Sequence, residues 1–318
     1  MTAVRSYHGQ PVIKEPIWKP EIPWYLFAGG LGGASAGLAW LADLRGNDVL
    51  ARRAWTGALL GTGLSPALLI SDLGRPERFL YMLRMFKVTS PMSVGSWVLF
   101  AFGGASTAAG LDSLLPLAHR PWRSILRLAA RPARPAAAVA GLPLATYTGA
   151  LLAQTAVPVW HEARRELPAL FAAGAAASAG AFATALTPVE HAGPALRLAV
   201  TGCIAELAIV ALMEQRLGEL GEPYRTEAAG AYGRLARTLT ISGGLLLAAR
   251  AARSRSAAVA GSTMVLAGAL CERWSVFKAG FQSARDPKYT VGPQRRRIAR
   301  RRGIDVRVRS RPTTPSMG

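Results

Sequence analysis

Long uncharged runs alternate with short charged segments along most of the chain. A helix of roughly 18–20 apolar residues crosses the hydrocarbon core of a bilayer, and backbone groups in lipid must be hydrogen-bonded internally. Each run therefore predicts a transmembrane α-helix. The pattern predicts eight of them: residues 22–42, 54–71, 88–111, 135–160, 167–189, 198–217, 232–250 and 256–274. The seventh has the weakest signal, because it begins with Arg234 and Arg237.

Eight spans indicate an all-α membrane protein, which we expect to form two four-helix bundles. An N-terminal interfacial segment, residues 1–21, precedes the transmembrane helical domain, residues 22–278, and a basic C-terminal tail, residues 279–318, follows it. Residues 112–134 are rich in Arg and Pro and are expected to form a loop. We expect the end of the tail to be poorly ordered and attracted to anionic lipid or to an acidic partner.

Composition agrees with a membrane location. The chain is 51% hydrophobic, has a mean hydropathy of +0.22, and carries a net charge of +20. These values fit together if the apolar residues lie in lipid and the basic residues lie in loops and tails. A sequence pI near 11.3 also suggests nucleic-acid binding. Arginine is spread between the apolar runs without an aromatic stacking platform, so we expect no nucleic-acid partner.

The distribution of Lys and Arg predicts the orientation of the chain. With eight spans, the side that holds both termini has more than twice as many basic residues as the other side. The excess comes from the C-terminal tail. The positive-inside rule then predicts a multi-pass protein of the plasma membrane with both termini in the cytoplasm.

Histidine and cysteine argue against redox centres in this chain. A membrane b-type haem needs two axial ligands inside the helices, commonly histidines. His8, His119, His161 and His191 instead fall in the N-terminal segment, in a loop and at helix ends. Two isolated cysteines cannot hold an iron–sulfur cluster, which takes about four thiolates. We therefore expect no haem, no iron–sulfur cluster and no metal site here, and no soluble-enzyme motif supplies a catalytic residue.

A charged loop follows the second predicted helix. Asp72, Arg75, Glu77 and Arg78 fall within seven residues of each other between two apolar runs. Charge beside membrane-spanning helices is costly and marks a site or a partner contact. One interpretation is an ion-pair network that fixes the loop. The other assigns proton transfer to Asp72 and Glu77, and partner docking to Arg75 and Arg78.

Three further polar residues lie within or at the ends of predicted spans. Tyr147 sits midway along the fourth span, where a buried phenol requires a hydrogen-bond partner on another helix or on a ligand. Glu206 lies within the sixth span and is either a proton-transfer group or a neutral acid bonded to a neighbouring helix. His161 closes the fourth span, as an interfacial side chain or as a proton-transfer group.

Several stretches resemble the NrfD-like family, the integral membrane subunits of polysulfide-reductase-type molybdoenzyme complexes. They are Asp72–Phe79, Thr89–Trp97, Tyr147–Leu152, Thr155–Glu162 and Ser283–Gln294. The resemblance implies a helical membrane subunit without a redox centre of its own. It also implies an iron–sulfur partner, ferredoxin-like with four clusters, which exchanges electrons with a molybdopterin-dependent catalytic subunit.

The resemblance further implies a quinone site near the membrane surface, among the first four helices. Menaquinone or ubiquinone would be the exchangeable cofactor. Tyr147 aligns with a quinone-contacting tyrosine of the family, and Glu21 and Trp24 stand where the polysulfide-reductase subunit has an asparagine and a histidine. The chain would then be a non-catalytic or quinone-reactive subunit of an oxidoreductase. The alternative is a proton-conducting or transporter-like helix bundle without a quinone site.

Overall fold

A computed structural model describes residues 12–73, 75–114 and 120–301. Within these ranges the chain forms eight long helices: α1 (Glu21–Leu44), α2 (Asp48–Asp72), α3 (Pro91–Leu114), α4 (Arg120–Ala153), α6 (Leu167–Leu186), α7 (Gly193–Leu217), α8 (Glu227–Arg250) and α9 (Arg255–Arg285). Two shorter helices, α5 (Pro158–Glu162) and α10 (Lys288–Arg301), and two 3-10 segments, Pro76–Leu83 and Gly218–Tyr224, connect or follow them. His8 and His119 lie outside the described residues.

The chain is an all-α, multi-pass membrane protein, as predicted. Among the described residues, six helices are long and apolar enough to cross a membrane: α1, α2, α3, α4, α6 and α7. The helices α8 and α9 have sufficient length, at 24 and 31 residues, but they contain charged residues such as Arg234 and Glu272. The seventh predicted span, residues 232–250, lies within helix α8, and α8 packs along α9.

The long helices form the predicted pair of four-helix bundles. The first bundle contains α1 to α4, and the second contains α6 to α9. Contacts of α6 with α1, α2 and α4, and of α9 with α1, join the two. Glycine permits close approach of α1 and α4 in the first bundle: a Cβ atom on Gly33 would lie 2.5 Å from the carbonyl oxygen of Gly141 on α4. Small residues at helix crossings allow the backbones of membrane helices to approach closely.

Connections between the long helices alternate between two ends of the molecule. One end, here called the Trp160 end, holds residues 73–90, 154–166 and 218–226 and both limits of the described chain. Trp18 stacks on Trp160 there, with ring centroids 5.5 Å apart. At the opposite end the Asn47 side chain donates to the carbonyl of His191 at 3.0 Å. Residues 12 and 301 thus lie on the same side.

The Arg- and Pro-rich segment predicted as a loop is mostly helical. The helix α4 begins at Arg120 and has 34 residues, or about 51 Å at 1.5 Å per residue, which exceeds the roughly 30 Å hydrocarbon core. Its first part extends beyond the membrane, where charge is tolerated. Arg134 holds this part in place through ion pairs with Asp43 of α1 at 3.4 Å and Asp112 of α3 at 3.0 Å.

Two helix ends also differ from the prediction. The fourth span ends at Ala153 rather than at residue 160, and a turn leads into α5. The last long helix continues beyond residue 274 to Arg285, so Glu272 lies inside it. It stops where Asp286 precedes Pro287, since the residue before proline disfavours helical geometry. The described part of the following segment is helix α10.

Candidate functional site

A narrow cavity lies in the first bundle near the Trp160 end. We call it the Tyr147 cavity. Residues from α1 to α4, from the segment before α1 and from the loop after α2 line it: Trp18, Ile22, Tyr25, Leu26, Leu69, Asp72, Leu73, Met82, Met92, Ser96, Tyr147, Leu151 and Leu152. Most of this lining is apolar or aromatic. A few polar groups in an apolar cavity are the usual composition of a small-molecule site.

Two tyrosine hydroxyls meet in this cavity. The Tyr25 hydroxyl, on a side chain that is 4% exposed, is hydrogen-bonded to the Tyr147 hydroxyl across the bundle. A phenol can donate one hydrogen bond and accept others. One of the two O–H groups is used within the pair, so the other is free to donate to an acceptor in the cavity.

Gly95 of α3 leaves the space in which the Tyr147 ring packs. A Cβ atom built on Gly95 would lie 2.9 Å from Cδ2 of Tyr147, closer than real Cβ contacts allow. The stretch Thr89–Trp97, which the sequence singled out, therefore contributes the surface against which the ring packs.

Asp72 lines the cavity and is fixed by the main chain. Its Oδ1 accepts a hydrogen bond from the Lys19 backbone N–H at 3.0 Å. Arg75, Glu77 and Arg78 are exposed at the surface beside it. Within residues 12–73 and 75–114, no ion pair links these four charged groups to each other. The interpretation of the loop as an internal ion-pair network is therefore wrong, and its three outer charges face solvent.

The cavity is small in this conformation. Its volume is about 100 Å³, whereas a cavity of roughly 150 Å³ accommodates benzene. Entry of a ring therefore requires side chains to move. Met82 and Met92 lie in the lining, and the unbranched methionine side chain adapts readily to a neighbouring group.

The structure distinguishes the two first-helix candidates. Trp24 is 47% exposed and does not line the cavity, whereas its neighbour Tyr25 does. Glu21 lies one helical turn before Tyr25, and its buried Oε2 has no hydrogen-bond partner among the described residues. Sequence reasoning missed Tyr25. The available signal was helical spacing, which places Tyr25, four residues after Glu21, on the same face.

His161 does not belong to this cavity. It is exposed and faces a separate surface cleft, which Gln154 and Tyr289 also line. The preceding residue, Trp160, is fully buried, and its Nε1 donates to the Val276 carbonyl at 2.7 Å. Its stacking partner Trp18 lines the Tyr147 cavity. Trp160 thus supports the cavity wall from behind.

The stretch Ser283–Gln294 packs around α5 at the same end. The Val159 backbone N–H donates to Ser283 Oγ at 3.5 Å, and Arg285 pairs with Glu15 at 2.8 Å. Lys288 pairs with Glu222 at 3.0 Å, and its hydrogen bond to that carboxylate raises the pKa of Lys288 above its ordinary value. Stretches far apart in sequence therefore converge at the Trp160 end.

Glu206 lies in the second bundle, away from Tyr147. It is 2% exposed, midway along α7. Buried Glu272 and Arg273 of α9 form an ion pair of 3.1 Å close to the same region. Arg273 also donates to the Phe171 carbonyl at 3.1 Å and lies over the Phe171 ring. The sequence identified Glu206, whereas Glu272 and Arg273 lie at the very end of the predicted span 256–274.

The part of the chain that the structure describes contains no group of three or more His, Cys, Asp or Glu side chains placed to hold a metal ion. Cys203 and Cys271 are free.

The fold and the cavity define a multi-pass helical membrane protein with a narrow, mainly apolar cavity at one end of its first bundle. The chain belongs to the polysulphide reductase NrfD family, whose model matches residues 8–219. The match covers α1 to α7 and the cavity. The chain is therefore a membrane subunit of the polysulphide-reductase type, a kind that associates with other subunits of an oxidoreductase complex. No curated protein sequence matches the chain significantly.

Proposed function

We propose that this chain is the quinone-reactive membrane anchor of a molybdopterin and iron–sulfur oxidoreductase. The observation that carries the proposal is the Tyr25–Tyr147 hydroxyl pair, which faces an apolar cavity at one end of the first bundle. The ligand would be an exchangeable quinone, menaquinone or ubiquinone, and the chain itself would supply no other redox group.

The side chains that line the cavity have the chemistry to bind the head group of a quinone once they move apart to admit it. The free O–H of the tyrosine pair can donate to a ring carbonyl, and the aromatic face of Trp18 offers a flat apolar wall. Quinone chemistry couples two protons to two electrons, so a titratable group must lie within reach of the ring oxygens. Asp72 is the carboxylate of this lining and would hold or release the proton.

The other candidate residues have different roles in this proposal. Tyr25 replaces Trp24 as the aromatic residue of the first helix. Glu21 lies one helical turn before Tyr25, outside the cavity lining, and would accept a proton from the tyrosine pair. Glu77 and His161 stay predictions as surface proton-transfer groups, since neither lines the cavity. Glu206 belongs to a separate cavity and is not part of the quinone site.

The iron–sulfur subunit would dock at the Trp160 end, because electrons must reach a ring held there. Exposed Arg75 and Arg78 beside the cavity would contact an acidic partner surface. The molybdopterin subunit would bind to the iron–sulfur subunit. The basic excess at this end supports a cytoplasmic location for the partners and for both termini, in the plasma membrane.

The decisive experiment isolates the intact complex from its native membrane and measures quinone turnover in variants. We expect Tyr147→Phe to leave assembly intact and to reduce turnover or quinone affinity about five- to a hundredfold, because one hydrogen bond worth about 1–3 kcal/mol is lost. Tyr25→Phe should act in the same direction. Tyr81→Phe is the matched control, since Tyr81 is 60% exposed on the neighbouring 3-10 segment.

Two results would contradict the proposal. Unchanged quinone kinetics in Tyr147→Phe would remove this residue from the site. A chain that purifies without redox subunits and conducts protons would favour the alternative, a transporter-like bundle without a quinone site.

Two fusions after residue 318 test the orientation. A fluorescent protein that folds only in the cytoplasm should fluoresce, and alkaline phosphatase should be inactive, because the basic tail keeps that end of the chain inside. Alkaline phosphatase activity there would reverse the orientation and move the partner subunits to the opposite side of the membrane.

A further inference from the structure

A second cavity lies in the second bundle, between α7, α8 and α9. We call it the Glu206 cavity. It has a volume of about 270 Å³, and residues of the three helices and of the Gly218–Tyr224 segment line it. Its inner part includes Glu206, Met213, Tyr224, Thr240, Glu272 and Ser275. It shares no lining residue with the Tyr147 cavity.

Two buried polar groups in this lining have no hydrogen-bond partner in the described structure. They are Oε2 of Glu206 and the hydroxyl of Tyr224, which come from different elements and line the same space. Buried polar groups are almost always satisfied by protein or by ordered water. Since one water takes roughly 30 Å³ in the liquid, the cavity has room for several. A water molecule in the cavity would satisfy either orphan group after a small movement of its side chain.

The cations around Glu206 are already engaged elsewhere. Arg273 of α9 pairs with Glu272 and donates to a carbonyl of α6. Arg237 of α8 pairs with Glu214 at 2.8 Å, and Arg225 donates to the Glu214 carbonyl at 3.1 Å. Arg234 is exposed at the mouth. Glu206 is therefore a buried carboxyl group without a cation of its own, and such a group keeps its proton rather than a charge.

The mouth of the cavity opens at the Trp160 end. Glu214, Arg225, Arg234 and Arg237 lie in its lining, beside the connection between α7 and α8. Water can thus reach the interior of the bundle from the same side as the Tyr147 cavity.

We infer that Glu206 is a proton-exchange site of the second bundle, reached by water from the Trp160 end through the Glu206 cavity. The neutral carboxyl gives its proton to cavity water and takes it back, with Tyr224 as a hydrogen-bonding neighbour. The site is separate from the quinone cavity and does not depend on the proposed quinone chemistry.

Carbodiimide labelling of the purified complex tests this inference. A carbodiimide adds to a protonated carboxyl group and leaves a stable N-acylurea that peptide mass spectrometry locates. We expect label on Glu206 from a water-soluble carbodiimide, with less label as the pH rises. Glu206→Gln should lose this label, whereas Glu214→Gln at the mouth should keep it. Infrared difference spectra should contain a protonated carboxyl band that shifts in D₂O and is absent from Glu206→Gln.

Three results would overturn the inference. Labelling by a lipid-soluble carbodiimide alone would show that access is from lipid and not through water. Protection of Glu206 by Na⁺ at constant pH would assign the cavity to a metal cation. Absence of both the label and the carboxyl band in the folded wild-type complex, checked by size-exclusion chromatography, would show that Glu206 does not hold an exchangeable proton.

Discussion

The two bundles share an architecture but contain cavities of opposite character. The Tyr147 cavity is mainly apolar, and its polar groups have partners: the two tyrosine hydroxyls bond each other, and Asp72 accepts from Lys19. The Glu206 cavity has buried carboxyl groups and orphan polar atoms. A dry site with one free donor suits a flat neutral ring, whereas an unsatisfied site suits water and protons.

Both cavities lie towards the Trp160 end of their bundles. The difference between them therefore comes from side chains and not from topology. Variants that affect one cavity and spare the other can test whether side chains account for this difference.

The largest effect is expected from Trp160→Ala. Removing a fully buried tryptophan should destabilise the protein by about 3–5 kcal/mol, and Trp18 would lose its stacking partner. We expect lower thermal stability of the purified complex and weaker quinone binding. Trp24→Ala is the matched control, because Trp24 is 47% exposed. Equal effects of the two substitutions on quinone binding would contradict a specific role of the Trp160–Trp18 wall.

A smaller and more local effect is expected from Gly95→Ala. The added Cβ would meet the Tyr147 ring, and overpacking of this kind costs typically about 1–3 kcal/mol. Quinone affinity should fall while carbodiimide labelling of Glu206 is unchanged. Gly104→Ala, on the same helix with nothing within 4 Å of the new methyl, should leave both properties as they are. A parallel loss of Glu206 labelling would mean that the two cavities are coupled.

The smallest expected effect is an absent signal. The purified chain should show no b-type haem absorption, because a bundle haem requires two axial ligands inside the helices. Difference spectra of the reduced and oxidised complex check this. A stoichiometric haem band assigned to this chain would contradict the expectation that neither bundle holds a redox centre.

Helix positions were predictable wherever lipid surrounds the chain. The runs 54–71 and 167–189 correspond to α2 and α6, since an apolar stretch in lipid must satisfy its own backbone. Errors occurred where a helix leaves the membrane. The charged first half of α4 and the last part of α9 were not predicted as helix, because charge outside the lipid is compatible with helix and with loop alike.

The candidate site was predictable only in part. A tyrosine in an apolar helix drew attention to Tyr147, but nothing local identified its partner. Tyr25 lies 122 positions earlier in the chain, and Gly95 and Trp18 also come from distant segments. In the same way Glu206 was visible as an intramembrane carboxyl, whereas Glu272 looked like the end of a helix.

The sequence by itself determined the class of the protein, the places of its membrane helices and the family that its stretches resemble. These properties follow from local rules, because each apolar run meets lipid along its whole length and each motif is read within a few residues. Only the tertiary structure decided which polar groups share a cavity and which have no partner. That depends on contacts between helices from distant parts of the chain, such as the contact between the Tyr25 and Tyr147 hydroxyls.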